Sequence, residues 1–282
     1  MRVFVVGATG VLGRNVIPRL LERGHQIRAV ARRVEQVAIL QRLGVDARLG
    51  DILDAVSLMV AAEGCDTALH LATAIPRPGT IQDWTLNDRV RQEGTQNLLA
   101  AAADVGVRRY IQQSITFLYG DQGEQIVDES APLRPAPRIQ SAADMEAFVQ
   151  ASSLDWVILR GGSFYGPGTG NEDGWRKAAQ EGTLRLPGDG AALVSLIHVV
   201  DMARAVVLAA EGAPAGDIYQ VVDDAPVRYR ELYGYVAAQL GAPVPTPGGP
   251  PVVSLGCSNA RIKTALGWGP AYPSYRSGLV EG

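Results

Sequence analysis

Three glycines, Gly7, Gly10 and Gly13, follow the short apolar run at residues 2–6 and have the spacing G-x-x-G-x-x-G. Because glycine has no side chain, the backbone N–H groups of such a turn can approach a diphosphate closely. Apolar residues at helical spacing come next, and the amino-terminal end of a helix adds partial positive charge. A turn that only packs a helix against a strand is the alternative, but strand, turn and helix occupy the places that a dinucleotide site requires. We therefore predict cofactor contacts from the following residues: Gly7, Thr9, Gly10, Val11, Leu12 and Gly13.

Two arginines follow the second apolar run, Ile27–Ala31, in the sequence Ala31-Arg32-Arg33. The end of this strand decides which dinucleotide is preferred, because a carboxylate there hydrogen-bonds the ribose 2′-hydroxyl and repels a 2′-phosphate. Two guanidinium groups instead suit a phosphate dianion, since each can bind it through two N–H groups. A solvated basic start to the next helix is the other interpretation. The arginine pair predicts NADP(H) rather than NAD(H) as the cofactor.

A carboxylate, Asp51, follows the third apolar run, Val45–Leu49. Asp51 and its neighbour Ile52 stand where the chain would pass the adenine ring, and the carboxylate could accept a hydrogen bond from the adenine amino group. Asp51 could equally cap a helix that starts near Leu53. The sequence does not choose between these two roles.

The elements that must position these residues are strands that alternate with helices. Further strands are predicted at Thr67–Leu71, Arg109–Gln113 and Trp156–Arg160, and helices at Val90–Val105 and Ala142–Ala151. Strands separated by helices cannot pair as hairpins, so they form a parallel sheet that helices cover on both faces. We predict an α/β protein whose residues 1–160 form a doubly wound, Rossmann-type parallel sheet.

Beyond residue 160 the alternation weakens, and glycine- and proline-rich stretches such as Pro243–Pro251 mark loops. We expect residues 161–282 to form mainly a smaller, partly discontinuous substrate-binding lobe. Segments around 195–222 are expected to return to the Rossmann sheet.

Composition restricts the choice of partners. A net charge of −3 and a pI near 5.7 give little electrostatic support to nucleic-acid binding. The chain offers no apolar stretch long enough to span a bilayer and no signal peptide at its start, and its two cysteines, Cys65 and Cys257, match no metal-ligand spacing. Three scattered histidines form no metal motif. We therefore expect a cytoplasmic protein whose partner is a small-molecule substrate, with no metal, no membrane and no nucleic acid.

The order of these motifs resembles the extended short-chain dehydrogenase/reductases, also called the NAD-dependent epimerase/dehydratase family. Five further segments carry the resemblance: His70–Thr73, Gly94–Leu99, Arg160–Gly168, His198–Ala203 and Leu266–Tyr275. The resemblance implies that six residues of the first and third segments lie beside the cofactor: Leu71, Ala72, Thr73, Gly162, Ser163 and Phe164. It also implies a homodimer formed through the helices Val90–Val105 and Ala142–Ala151.

The catalytic centre departs from the family. Family enzymes use a Ser or Thr with a Y-x-x-x-K motif, in which the tyrosine transfers a proton and the lysine lowers its pKa and holds the nicotinamide ribose. Aligned on Ser141 and Glu146, this chain has Arg138 at the tyrosine position, Ala142 at the lysine position and Ile115 at the hydroxyl position. No Y-x-x-x-K motif occurs, and the first lysine of the chain is Lys177. The usual proton relay is therefore absent, as in the atypical branch that includes NADPH-dependent reductases and redox-sensing regulators.

Four residues are candidates for the missing role: Ser114, Thr116, Arg138 and Tyr165. The hydroxyls of Ser114 and Thr116 flank the vacant position, but both could simply cap the end of a strand. Tyr165, like Tyr119, could donate a proton or only pack in its loop. Arg138 could polarise a carbonyl or hold a carboxylate, or could be a solvated helix start.

These observations predict an NADPH-dependent reductase of a small or medium organic carbonyl or conjugated substrate. The cofactor carries the hydride chemistry, and a proton donor adds typically 10²–10⁴-fold, which some substrates do not need. Two alternatives stay open. One is a non-catalytic NADP(H)-binding sensor, and the other is an enzyme that retains its cofactor for a non-redox isomerisation or cyclisation.

Overall fold

The computed structural model describes residues 1–76 and 82–279. In chain order its strands are β1 (Arg2–Val6), β2 (Gln26–Ala31), β3 (Asp46–Leu49), β4 (Thr67–His70), β5 (Arg109–Ile115), β6 (Ile126–Val127), β7 (Asp155–Gly161), β8 (Ser163–Tyr165), β9 (Arg185–Pro187), β10 (Leu193–Val194), β11 (Leu196–His198), β12 (Asp217–Val221), β13 (Val227–Arg228), β14 (Thr246–Gly249) and β15 (Gly256–Cys257). Its helices are α1 (Gly13–Glu22), α2 (Val34–Arg42), α3 (Ala55–Ala62), α4 (Thr85–Asp104), α5 (Gln140–Gln150), α6 (Asn171–Gln180), α7 (Val199–Gly212), α8 (Tyr229–Gln239), α9 (Ala260–Leu266) and α10 (Tyr275–Gly278). Two 3₁₀ turns lie at Thr116–Tyr119 and Pro137–Ile139.

Two compact units divide the described chain. The first unit comprises residues 1–114, 137–160 and 203–219, and the second comprises residues 115–136, 161–202 and 220–282. This division differs from the predicted one in two places. Residues 115–136, predicted in the first lobe, belong to the second unit because β6 pairs with β15. Residues 195–202, predicted to return to the Rossmann sheet, also belong to the second unit because β11 pairs with β8. Only the stretch that leads into β12 returns to the sheet.

The first unit is built on the parallel sheet. A seven-stranded sheet has the order β12-β7-β5-β4-β1-β2-β3, and β1 is parallel to both of its neighbours, β2 and β4. Four consecutive residues of β1 are buried, which is the pattern of a strand covered on both faces. Val16, Ile17 and Leu20 are buried on one face of α1, since residues three or four apart lie one turn apart on a helix. The prediction of a Rossmann-type α/β fold is confirmed.

The boundaries of three elements bear on the site. β5 runs to Ile115, two residues beyond its predicted end, so Ser114 lies within the strand rather than after it. α3 begins at Ala55 and is capped by Asp54, whose carboxylate accepts hydrogen bonds from the N–H groups of Val56 and Ser57. α4 begins at Thr85, five residues before the predicted start.

The second unit consists of short strand pairs and helices. β8 pairs in parallel with β11, β9 with β14, and β6 with β15, whereas β10 and β13 are antiparallel. Its larger core cluster includes Tyr165, Leu196, Leu232 and Tyr275. In the described part of the chain, no helix combines the length and the apolar character needed to cross a membrane.

Candidate active site

The glycine turn at the carboxyl end of β1 is shaped by close backbone contacts. The Gly10 N–H donates to the Gly7 carbonyl (2.9 Å), and the Arg14 N–H donates to the Gly10 carbonyl (3.0 Å). Gly7 has a φ of +90°, and a Cβ there would lie 2.5 Å from the backbone nitrogen of Ala72. A Cβ on Gly13 would lie 2.2 Å from the Gly7 carbonyl oxygen. The turn therefore tolerates side chains at neither position, while Gly10 at its tip is exposed.

The end of β2 presents two cations to solvent. Ala31 is buried, whereas Arg32 and Arg33 are exposed, and neither arginine forms an ion pair with any residue that the structure describes. Arg33 is the amino-terminal cap residue of α2 and has an extended backbone. The guanidiniums of Arg32 and Arg33 are therefore available to bind a ligand at the end of β2.

Asp51 does not cap α3. Its Oδ1 accepts a hydrogen bond from the Leu53 N–H (3.0 Å), a local turn that precedes the helix, and the cap is Asp54. The capping role considered for Asp51 is therefore wrong, because the helix starts one residue after Asp54. Ile52, the other residue predicted here, is buried, and its carbonyl accepts a hydrogen bond from Asn97 Nδ2 (3.2 Å).

The segment after β4 lies beside the glycine turn. The Leu71 N–H donates to the Val6 carbonyl (2.9 Å), and a Cβ on Gly7 would meet the backbone of Leu71 and Ala72. Thr73 is exposed, and the N–H of Ala74 donates to Asn87 Oδ1 on α4 (3.0 Å). The structure therefore brings Gly7 of the glycine turn beside Leu71 and Ala72, at the carboxyl ends of β1 and β4.

His70, the last residue of β4, carries no positive charge at neutral pH. Burial lowers the pKa of its imidazole to about 4. A neutral, buried ring in this position agrees with the structural role that its place in the strand predicts.

Ser114 is committed to a buried ion pair. Its Oγ donates to Glu146 Oε1 (2.5 Å), and Arg160 binds both oxygens of the same carboxylate, with Nε 3.0 Å from Oε1 and Nη2 2.6 Å from Oε2. All three side chains are at most 4% exposed. The hydroxyl proton of Ser114 thus points to Glu146 and into the packing between β5 and α5.

The two residues that the sequence alignment places at the family's tyrosine and lysine differ in exposure. Arg138 is exposed in the 3₁₀ turn that precedes α5, and Ala142 in the first turn of α5 is fully buried. Next to Ala142, Ser141 Oγ donates to Asp88 (2.6 Å) and accepts from the guanidinium of Arg91 on α4 (3.3 Å). Arg91, which the sequence did not single out, is only 5% exposed.

In the second unit, Thr116 and Tyr165 are buried. Tyr165 donates its hydroxyl proton to the Ser274 carbonyl (3.2 Å), and its ring contacts the edge of His198, with centroids 5.1 Å apart. A Cβ on Gly278 would lie 2.4 Å from the phenol oxygen. Burial raises the pKa of Tyr165 far above the usual range of a phenol. Thr116 is 1% exposed in the 3₁₀ turn.

The predicted residues after β7 hold strands together through their backbones. The Gly162 N–H donates to the Val221 carbonyl (3.1 Å), and the Ser163 N–H donates to the Ser195 carbonyl (2.8 Å). The side chains of Ser163 and Phe164 are half-buried, and a Cβ on Gly162 would meet the Ser195 carbonyl oxygen at 2.6 Å. Glycine at position 162 is required by this close strand approach.

Asp223, after β12, is a buried carboxyl that the sequence analysis missed. Its Oδ1 accepts from the Ala225 N–H (3.1 Å), and its Oδ2 has no hydrogen-bond partner among the described residues. Burial, together with the negative charges of Asp224 and Asp201, raises the pKa of Asp223 to about 8. Nothing in the run before it marks Asp223 as different from the adjoining Asp224, which is bound to Lys263.

We predict that Asp223→Asn stabilises the protein more at pH 9 than at pH 6. The folded state keeps the Asp223 proton up to about pH 8, whereas an unfolded chain loses it near pH 4. The contribution of this carboxyl to stability is therefore full below about pH 4 and is lost as the pH rises to about 8, by at most about 1.4 kcal/mol per pH unit. Thermal unfolding at both pH values measures the difference. The exposed Asp173→Asn is the control, and equal shifts for both variants would contradict the prediction.

Comparison with known proteins shows which family has this sequence pattern. The sequence pattern of the NAD dependent epimerase/dehydratase family matches residues 3–222. A Streptomyces protein named 3-diazoavenalumate denitrifying reductase is 35% identical over 306 aligned positions, which cover 99% of each chain. A 2-alkyl-3-oxoalkanoate reductase of Stenotrophomonas maltophilia is 30% identical over 86% of this chain and 77% of its own.

Solved structures agree in fold. A dTDP-glucose 4,6-dehydratase from Streptomyces venezuelae with NAD bound has a TM-score of 0.86 and 26% identity, over 99% of this chain and 94% of its own. A UDP-glucose 4-epimerase from Thermus thermophilus in complex with NAD has a TM-score of 0.82 and 26% identity, over 99% and 96%. The chain belongs to the NAD-dependent epimerase/dehydratase family, within the extended short-chain dehydrogenases/reductases, and is an oxidoreductase dependent on a nicotinamide dinucleotide.

Proposed function

We propose that this protein is an NADPH-dependent reductase of a small or medium organic molecule with a carbonyl or conjugated group. The observation that carries the choice of cofactor is the pair of exposed, uncommitted guanidiniums of Arg32 and Arg33 at the end of β2. The turn at residues 7–13 is held tightly, because a Cβ at Gly7 or Gly13 would collide with backbone atoms, and its exposed tip at Gly10 leaves room for a diphosphate to approach the backbone. When bound, the dinucleotide supplies the hydride.

We predict that Arg32→Ala with Arg33→Ala weakens NADPH binding by about 10- to 100-fold and leaves NADH binding unchanged. Both guanidiniums are exposed to solvent, so their charge-assisted hydrogen bonds to the 2′-phosphate are together worth roughly 1.5–3 kcal/mol. Calorimetric titration at fixed ionic strength measures both affinities. Arg42→Ala, an exposed arginine at the far end of α2, is the matched control. If NADH binds the unmodified protein more tightly than NADPH, the proposed cofactor is wrong.

Two of the candidate proton donors are already engaged in hydrogen bonds. The hydroxyl of Ser114 donates to Glu146, and that of Tyr165 donates to the Ser274 carbonyl, so both are engaged within their units. Arg138 is exposed at the position of the family's tyrosine and is free to hold a substrate oxygen or carboxylate. Among the residues first considered, Arg138 is therefore the one we assign to substrate binding.

The absence of the Y-x-x-x-K motif favours a second substrate class. The name of the Streptomyces relative describes reductive loss of nitrogen from a diazo compound. If a hydride replaces the diazo group of a diazonium, a C–H bond forms, the C–N bond breaks and its electron pair leaves in dinitrogen, so that no proton is consumed. A protein without the tyrosine-lysine relay suits such a step, and we propose a diazo substrate as the second candidate.

Consumption of NADPH with a panel of ketones, aldehydes, enones and one aryl diazonium salt tests both candidates. Turnover of a carbonyl or enone supports the first candidate, whereas dinitrogen release that equals NADPH consumption supports the second. Each substrate is also incubated with NADPH and heat-inactivated protein to subtract direct reduction. Tight NADPH binding without any turnover would overturn both and support the non-catalytic sensor.

A further inference from the structure

Arg91 is a buried cation without a buried anion beside it. The residue is 5% exposed, yet no carboxylate of the described chain lies within ion-pairing distance of its guanidinium. Its hydrogen bond with a described residue goes to Ser141 Oγ, at 3.3 Å, and Ser141 in turn donates to Asp88. Burial lowers the pKa of Arg91, which the charge of Asp88 opposes, but an arginine keeps its proton at neutral pH.

A contribution to the stability of the fold does not explain why a buried arginine is present at this position. Burying a charge is costly unless it is paired, and replacing buried charges by apolar side chains is often neutral or stabilising. A guanidinium has five N–H donors in one plane, and a single serine oxygen uses a small part of that capacity. The remaining donors suit a ligand with several oxygen atoms.

The surroundings of Arg91 indicate which ligand this is. Asn87 precedes Arg91 by one helical turn, about 6 Å along α4, and binds the N–H of Ala74, next to the segment 71–73 that lies against the glycine turn. On the other side, Ser141 adjoins Ala142, the fully buried residue at the position of the family's lysine. Arg91 therefore lies between the cofactor segment and the place where a lysine would hold the nicotinamide ribose.

We propose that Arg91 supplies, from α4, the positive charge that position 142 lacks, and that its guanidinium binds the hydroxyl groups of the nicotinamide ribose. The planar pair of N–H groups suits two neighbouring hydroxyls. Alanine at position 142 leaves α5 without the family's lysine, and Arg91 on α4 would provide a positive charge in its place. The inference rests on the proposed NADPH site.

Binding of two ligands to Arg91→Met separates this role from others. NADPH contains the nicotinamide ribose, whereas 2′,5′-ADP contains only the adenosine half with its 2′-phosphate. We expect Arg91→Met to weaken NADPH binding by about 10- to 100-fold and to leave 2′,5′-ADP binding within about twofold. Arg91→Lys keeps the charge without the planar pair of donors and is expected to lose only about 3- to 10-fold for NADPH. The exposed Arg89→Met on the same helix is the control, with both affinities unchanged.

Two outcomes of this experiment would contradict the inference. Equal weakening of both ligands by Arg91→Met shows that Arg91 only supports the packing of α4 on α5, and unchanged NADPH affinity shows that it does not reach the cofactor. Either result overturns the proposal. If Arg91→Met does not fold, Arg91→Lys decides by the same selective loss or its absence. If the unmodified protein binds neither ligand, the proposed cofactor itself fails, which is a distinguishable result.

Discussion

Gly13→Ala is expected to lower the unfolding midpoint by roughly 6–12 °C and to abolish cofactor binding. The added Cβ would lie 2.2 Å from the Gly7 carbonyl oxygen and 2.6 Å from two backbone atoms of Ala8. Because these neighbours are backbone atoms within a tight turn, the turn must open, and overpacking of this kind costs about 3 kcal/mol. An opened turn no longer directs its N–H groups at one diphosphate. Thermal unfolding with and without NADPH measures both effects.

Gly174→Ala is the matched control for this substitution. Gly174 lies within α6, and a Cβ there would meet no atom within 4 Å. Alanine is favoured over glycine in a helix interior by roughly 0.5–1 kcal/mol, so the control is expected to be neutral or slightly stabilising. A Gly13→Ala protein that unfolds like the control, or that NADPH still stabilises, would contradict the steric argument.

The front half of the fold could be predicted because its signals are local. β1, the glycine turn and α1 follow one another within about 20 residues, and each has the periodicity of its own element. The parallel arrangement then follows from the rule that strands joined by helices cannot form hairpins. The contact of Gly7 with Ala72 follows in turn, because β1 and β4 are neighbours in the sheet.

The remaining features depend on contacts that are distant in sequence. Residues 115–136 join the second unit because Ile126 and Val127 pair with Gly256 and Cys257, and no local pattern indicates a partner so far away. The burial of side chains at the site could not be predicted for the same reason. The sequence places Tyr165 in a loop, and only the packing of Gly278 against its hydroxyl oxygen shows that the side chain is buried.

Arg91 was missed for a related reason. It stands in a helix rich in charged residues, where its neighbour Arg89 forms an exposed ion pair with Glu93. Burial of one arginine and exposure of the other follow from the packing of α4, whose buried face includes Asn87, Arg91 and Thr95. The burial of Arg91 therefore depends on how α4 packs in the fold, which the sequence pattern does not indicate.

The second large effect is expected from Glu146→Ala, which we predict to destabilise the protein by about 3–5 kcal/mol. Glu146 is 1% exposed and accepts hydrogen bonds from both Arg160 and Ser114. Its removal takes away the carboxylate that binds the guanidinium of Arg160, a side chain only 4% exposed, and breaking a buried pair from one side costs this much. Denaturant unfolding measures the loss, and Glu93→Ala, which breaks an exposed pair, should cost at most about 1 kcal/mol.

A double variant shows whether the cost comes from the charge of Arg160. Glu146→Leu combined with Arg160→Met removes both charges and keeps apolar volume, so it is expected to be more stable than Glu146→Ala alone. If the double variant is as unstable as the single one, the loss comes from packing between β5, β7 and α5 rather than from charge. If Glu146→Ala is within about 1 kcal/mol of the unmodified protein, the buried pair contributes little, and the hydroxyl of Ser114 is then free to turn from α5 toward a ligand.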